Sequence, residues 1–230
     1  MLKTCAARMS DVAVLPLLAA AAGAVDALAF IALGHVFAGV MTGNLILLAI
    51  GLGSGSPGDA AFPLVALAGF ALSVVVAGRF CRTGGGPRTK SGATGAAWSD
   101  GVFVCLAVEV TLLAAVGVTW AAAEGHPDGD GRAVLIAVLS VAMGLQTAAM
   151  FAAGPSGAPT TYFTGTLSSL LTDPAGGRPA AVRLAALLAG AVGAAALRTW
   201  VPAWAALPPP LLAAGALALA LSAASREPEP

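Results

Sequence analysis

Charge is what this sequence has least of. Only 10% of its 230 residues are Asp, Glu, Lys or Arg, and 58% are hydrophobic, whereas an ordinary soluble domain is roughly 25% charged. So few charges cannot coat a water-facing globule, and the bilayer is the expected solvent. The 11 basic and 11 acidic residues cancel and sit mostly between apolar blocks. No basic face is available, and nucleic acid is not an expected partner. Cysteine is scarcer still: Cys5, Cys81 and Cys105 are far apart, odd in number and without C-x-x-C spacing. That excludes a disulfide framework or a cysteine metal site and leaves three plain small residues. The two histidines, His35 after the first apolar run and His126 in an acidic loop, belong to no ligand cluster. Neither metal nor other cofactor is expected.

What is present is a series of long apolar runs. Crossing the hydrocarbon takes roughly 20 apolar residues, and six segments meet that length, at about 12–33, 60–80, 100–122, 132–152, 181–199 and 203–224. The first follows Lys3 and Arg8 and ends near Ala27-Leu28-Ala29, the outline of a signal peptide. Its apolar run is longer than the roughly 7–15 residues of such a leader, so it is read as a span. Gly, Pro and charge fill the breaks at Arg82 to Lys90 and Glu124 to Gly131, which cannot lie in lipid. The expected fold is an all-α polytopic membrane helix bundle forming one transmembrane domain. Its halves cover about 12–122 and 132–224, linked by loop 123–131. Trp98, Trp120, Trp200 and Trp204 fall near span ends, where indoles settle at the interface.

Two further apolar segments are shorter and interrupted, 36–51 and 159–173. Aligning Met41-Thr42-Gly43-Asn44-Leu45 with Phe163-Thr164-Gly165-Thr166-Leu167 sets Gly23 to Phe30 beside Gly144 to Phe151, at an offset of about 121–122 residues. An internal duplication is expected. If both segments crossed the membrane there would be eight spans, with basic residues split six inside to five outside. If both dip in and return, there are six spans. Lys3, Arg8, Arg79, Arg82, Arg88, Lys90, Arg178, Arg183 and Arg226 then lie inside, with only Arg132 and Arg198 outside. Cytoplasmic loops carry the excess of positive charge, so the second arrangement is preferred, with both termini cytoplasmic. Seven or eight spans remain the alternative. Because the halves begin on opposite faces, the duplication is an inverted repeat, an architecture that places binding sites at the midplane.

Thr42-Gly43-Asn44 and Thr164-Gly165-Thr166 stand where each half-helix should begin, near Asn44 and near Gly165. These are N-cap residue types. Two helix starts aimed at the centre from opposite faces favour an anion, a carboxylate or a polar solute between them; the same residues also serve simply as caps. Asp26 and Glu109 are the carboxylates within spans, where a charge is expensive and marks a proton or cation pathway; the plain alternative is a hydrogen bond that holds neighbouring helices. Asp26 is preferred because its helix leads into the first Thr-Gly segment. Gln146 holds the similar place in the second half, either as a partner across the repeat or as interhelical glue. Gly154-Pro155-Ser156-Gly157 matches the G-x-S-G pattern of intramembrane serine proteases, but no histidine follows it to act as base. The segment is read as a turn, and the chain as no enzyme.

These motifs, an aspartate in the first helix, Met41-Thr42-Gly43-Asn44, and a later Gly144-Leu145-Gln146 with Thr160-Thr161-Tyr162-Phe163-Thr164-Gly165-Thr166, resemble the YoaK family of bacterial membrane proteins of unknown function. The likeness covers nearly the whole chain. It departs at Thr147, where the family pattern has Asn, which weakens any role assigned to that amide. The resemblance implies a bacterial inner-membrane location. The functional expectation is a small transporter or channel-like protein for a small polar or anionic solute, possible proton coupling included. Its site would comprise Asp26, Thr42, Gly43, Asn44, Gln146, Thr164, Gly165 and Thr166. The rival is a non-catalytic scaffold or accessory subunit, and an intramembrane enzyme is more distant. Beyond the lipid bilayer and the solute, the expected partner is a second copy, since Gly/Ala surfaces pack closely.

Overall fold

The computed structural model describes residues 2–83, 99–153, 160–161, 163–172 and 177–225, the side chains of 2–12, 82, 83 and 169 excepted. The Arg82 to Lys90 linker, Trp98, the Gly154 to Gly157 turn and the segment leading from it to Pro159 lie outside these residues or side chains. The described residues fold into helices α1 (Leu2–Ala32), α2 (Met41–Gly53), α3 (Pro57–Thr83), α4 (Asp100–Ala122), α5 (Gly129–Ala153), α6 (Thr164–Thr172), α7 (Arg178–Trp200) and α8 (Pro208–Ala224), with a 3-10 turn at Pro202–Trp204. Six stretches are long and apolar enough to cross a membrane: Ala13–Ala32, Pro57–Cys81, Asp100–Ala122, Gly129–Ala153, Arg178–Trp200 and Pro202–Ala224. They coincide with the six expected spans.

Packing is exchanged between the halves. The first helix of the first half, α1, packs chiefly on α7 and α8 of the second, and α5, which opens the second half, packs chiefly on α3 and α4 of the first. Both exchanges depend on glycine. A Cβ on Gly23 would collide with the carbonyl oxygen of Leu187, and one on Gly190 with that of Ala20, so α1 and α7 touch backbone to backbone. At the α3–α5 crossing a Cβ on Gly144 would lie 2.8 Å from the Phe70 carbonyl oxygen, and one on Gly69 3.1 Å from that of Ala137. Gly144 is Gly23 moved on by 121 residues and Gly190 is Gly69 moved on by the same 121. The offset of 121 that sets Gly23 to Phe30 beside Gly144 to Phe151, one residue short of the 122 between the Thr-Gly motifs, therefore also relates these two close helix crossings.

Contacts fix the relative directions of α1, α3, α4, α5 and α7. Ser73 Oγ donates to the Val141 carbonyl at 2.7 Å, four residues along from the Gly69–Ala137 contact on both helices, so α3 and α5 run parallel. The Trp120 indole N–H donates to the Pro202 carbonyl at 2.8 Å, which sets the end of α4 beside the end of α7. A Cβ on Gly34, just past α1, would meet the Phe62 ring near the start of α3. The ends of α1, α4 and α7 thus share a face with the starts of α3 and α5.

Three details differ from the sequence expectations. Helix α2 starts at Met41, three residues before Asn44, and its N-cap Val40 makes no side-chain cap bond; α6 starts at Thr164, one residue before Gly165. Trp120 is fully buried, unlike Trp200 and Trp204, which are 81% and 58% exposed; its indole finds its acceptor inside the bundle rather than at an interface. Cys81 and Cys105 are brought together, with sulfurs 3.4 Å apart as free thiols, because α3 and α4 pack through Gly101 against the Cys81 backbone.

Candidate functional site

Asp26 lies on α1, six residues before its end, and is 8% exposed. Its Oδ1 accepts the backbone N–H groups of Ala38 and Gly39, each at 2.8 Å. After α1 the chain reverses through Gly34 and His35, both with positive φ (124° and 58°), and descends alongside α1 until residues 38–39 reach Asp26. Helix α2 begins two residues later. Its N-terminal end therefore already faces a carboxylate of the same chain, and the favourable pairing of anion with helix start is made internally.

Asn44 holds the reversal in place. It is fully buried; its Oδ1 accepts the Phe37 N–H at 2.9 Å and its Nδ2 donates to the Phe37 carbonyl at 2.6 Å. Both polar ends are thus spent on backbone, and the residue serves as a latch on the loop rather than as an N-cap. Gly43 rests against the Phe37 ring, which stacks on Phe30 at 5.1 Å between centroids. Thr42, by contrast, is exposed.

The second half repeats the construction with neutral groups. Gln146 Nε2 donates to Thr160 Oγ1 at 2.8 Å and to the Leu18 carbonyl at 3.3 Å. Thr147 Oγ1 donates to the Met143 carbonyl, so the Thr161 hydroxyl donates to Thr147 Oγ1 at 2.8 Å. Positions 160 and 161 are 38 and 39 advanced by 122 residues, and Thr147 is the strict counterpart of Asp26. Asp26 thus holds residues 38 and 39, and Gln146 and Thr147 hold residues 160 and 161, a few positions before a short helix in each case. Thr164 and Gly165 are exposed and Thr166 is buried.

A cavity of about 550 Å³ joins the two constructions, lined by Asp26, Gly39 and Thr42 from the first half and by Thr147, Thr161 and Thr164 from the second. Phe70, Phe151, Phe163, Leu184 and Leu187 complete much of its wall. Of the residues singled out from sequence, the structure brings Asp26, Thr42 and Thr164 onto one cavity. Gly43, Asn44, Gln146, Gly165 and Thr166 stand outside the lining. Gly39, Thr147 and Thr161 line it and were not singled out. Alignment of the repeats did hold the signal, for Thr147 opposite Asp26 at an offset of 121 and for Thr161 opposite Gly39 at 122.

Glu109 lies elsewhere, on α4 between Leu106 and Leu113, which belong to two separate apolar clusters. It is fully buried and neither carboxyl oxygen has a hydrogen-bond partner among the described residues; the same holds for Ser140 Oγ and for Gln146 Oε1. The expected interhelical hydrogen bond is thus found for Gln146 through its Nε2 and is not present for Glu109. No group of three or more metal-ligating side chains occurs among the described residues.

Six helices long and apolar enough to cross a membrane define a multi-pass transmembrane protein. A family model described as "Protein of unknown function (DUF1275)" matches residues 14–220, and the chain belongs to that family. It is 34% identical over 165 residues to the UPF0700 transmembrane protein YoaK of Bacillus subtilis (strain 168). That match covers 70% of this chain and 66%, just under two thirds, of the relative. The resemblance read from the motifs is therefore to the family that the chain belongs to. No solved structure matches.

Proposed function

We propose that the chain is a small transporter or channel-like protein of the bacterial cytoplasmic membrane, with both termini inside. In this reading α2 and α6 are re-entrant half-helices of an inverted repeat, and a small polar solute passes through the cavity they share. The observation that carries it is the cavity itself, since residues at both short-helix starts, Thr42 and Thr164, line the same space as Asp26. Length supports re-entry: at about 1.5 Å per residue, the 13 residues of α2 and 9 of α6 reach only about 20 and 14 Å of a roughly 30 Å core. Irregular backbone at that depth is tolerated where it lines a polar hollow.

The test is flux in proteoliposomes, screened over small amines, inorganic cations, carboxylates and polyols, with Asp26→Asn as the variant. Uptake that depends on pH and disappears in Asp26→Asn, at unchanged yield and melting temperature, is the expected result. A second reading, a scaffold without transport, is favoured by one observation: Asp26 Oδ1 and both polar ends of Asn44 are spent on loop backbone. It predicts collapse of the fold in Asp26→Asn and no flux of any solute. Topology is checked by cysteine labelling on intact cells, where Ser56→Cys should react from outside and Ala175→Cys only from the cytoplasm.

A further inference from the structure

We infer that the cavity takes an organic monocation, an ammonium-type group carried on an apolar body, and rejects anions; the inference rests on the reading of the cavity as a solute site. Two opposed helix starts alone would favour an anion. The geometry reverses that expectation. The start of α2 is already met by Asp26, whose Oδ1 holds the N–H groups of Ala38 and Gly39. An anion entering the cavity would therefore meet a carboxylate within a few ångströms, in surroundings of low dielectric where like charges repel strongly.

Among the described residues, no positive charge in the lining offsets that carboxylate. Asp26 is the sole ionisable side chain there, and the other polar side chains are the hydroxyls of Thr42, Thr147, Thr161 and Thr164. Arg183, which precedes the lining residue Leu184 on α7, is outside the lining. In the second half the position equivalent to Asp26 is the neutral Thr147, so the lining holds one carboxyl group and, among the described residues, no basic group to offset it.

The other carboxyl oxygen is kept approachable. A Cβ on Gly39 would lie 3.2 Å from Asp26 Oδ2, so the absence of a side chain at this lining position leaves that face of the carboxylate clear. The rest of the wall selects the kind of cation. A hard cation such as Mg2+ or Ca2+ needs about six or more oxygen ligands at short range, whereas one carboxylate and scattered hydroxyls stand among Phe70, Phe151, Phe163 and aliphatic side chains. Apolar and aromatic surfaces with one fixed charge fit an ammonium or phosphonium whose charge is spread over carbon.

The experiment compares two ions of the same shape and opposite charge, tetraphenylphosphonium and tetraphenylborate, with benzyltrimethylammonium as a smaller cation. Saturable binding to the purified protein in nanodiscs is measured, with empty nanodiscs subtracted. Saturable binding of at least one cation and none of the borate is expected, with affinity reduced at least tenfold in Asp26→Asn and largely retained in Asp26→Glu. A bulky substitution across the cavity, Thr164→Phe, should also abolish binding, which keeps the test sound if Asp26→Asn fails to fold. Equal binding of the borate, no saturable cation binding, or cation binding unaffected by Asp26→Asn and Thr164→Phe overturns the inference. Labelling of Thr164→Cys by a water-soluble maleimide, in a background lacking the native cysteines, separates the two levels. A labelled cavity that binds no cation leaves the solute-site reading standing and removes the cation assignment; an unlabelled one removes both.

Discussion

Replacing Gly190 by alanine tests whether α1 and α7 are in backbone contact. The added methyl would overlap the carbonyl of Ala20, and restoring ordinary contact requires the helices to separate by on the order of 1 Å. Overpacking of this kind costs about 1–3 kcal/mol. Alanine recovers about 1 kcal/mol through its better helix propensity. The net loss is roughly 0–2 kcal/mol, up to a factor of about 30 in the folding equilibrium. Gly193 supplies the control, because it lies on the same helix with nothing within 4 Å of where a Cβ would stand, so Gly193→Ala should be neutral or slightly stabilising. The crossing also predicts a coupling. Gly23 meets Leu187 at the same place, and helices already displaced by Gly190→Ala accommodate Gly23→Ala at little further cost, so the double variant should lose less than the sum of the singles. Reversible unfolding in detergent measures all four proteins. Equal stabilities for Gly190→Ala and Gly193→Ala, or strict additivity of the pair at 23 and 190, would refute the close crossing.

Asn44→Ala removes both bonds to Phe37 and should lower stability by roughly 1–3 kcal/mol, whereas Thr42→Ala, at an exposed position, should leave the melting temperature unchanged. Glu109 has no partner among the described residues, so Glu109→Leu should stabilise the fold by about 1–3 kcal/mol; a marked loss would reveal a partner for the carboxyl. Oxidation with diamide should join Cys81 to Cys105, detected as a cross-linked tryptic peptide by mass spectrometry, and failure to form it would contradict the 3.4 Å approach of the two sulfurs.

The six spans were legible because the bilayer imposes a length and an apolar composition that few other environments demand, and each span satisfies both on its own. Asp26 was legible for a related reason, since a carboxylate in such a stretch is costly enough to stand out. Asn44 was harder to read. Its residue type suits an N-cap or a solute ligand equally, and only the reversal at Gly34 and His35, which brings Phe37 back over α2, decides between them. The pairing of Cys81 with Cys105 depends on the angle and depth at which α3 meets α4, which spacing along the chain does not encode. Gly39, Thr147 and Thr161 escaped notice because glycine and threonine are ordinary in apolar helices and loops; their place becomes visible once the two halves are superposed on the polar positions of α1 and α5.

The exchange of first helices between the halves bears on how the protein is made. During synthesis α1 enters the bilayer long before its two principal neighbours exist, and it must wait, with its Gly23 groove facing lipid, until the last quarter of the chain arrives. A truncation after α4 would strand α1 without a seat and leave α3 and α4 lacking the helix that belongs against them. Two fragments cut between α4 and α5 and expressed together should instead reassemble, each supplying the neighbours that the other lacks.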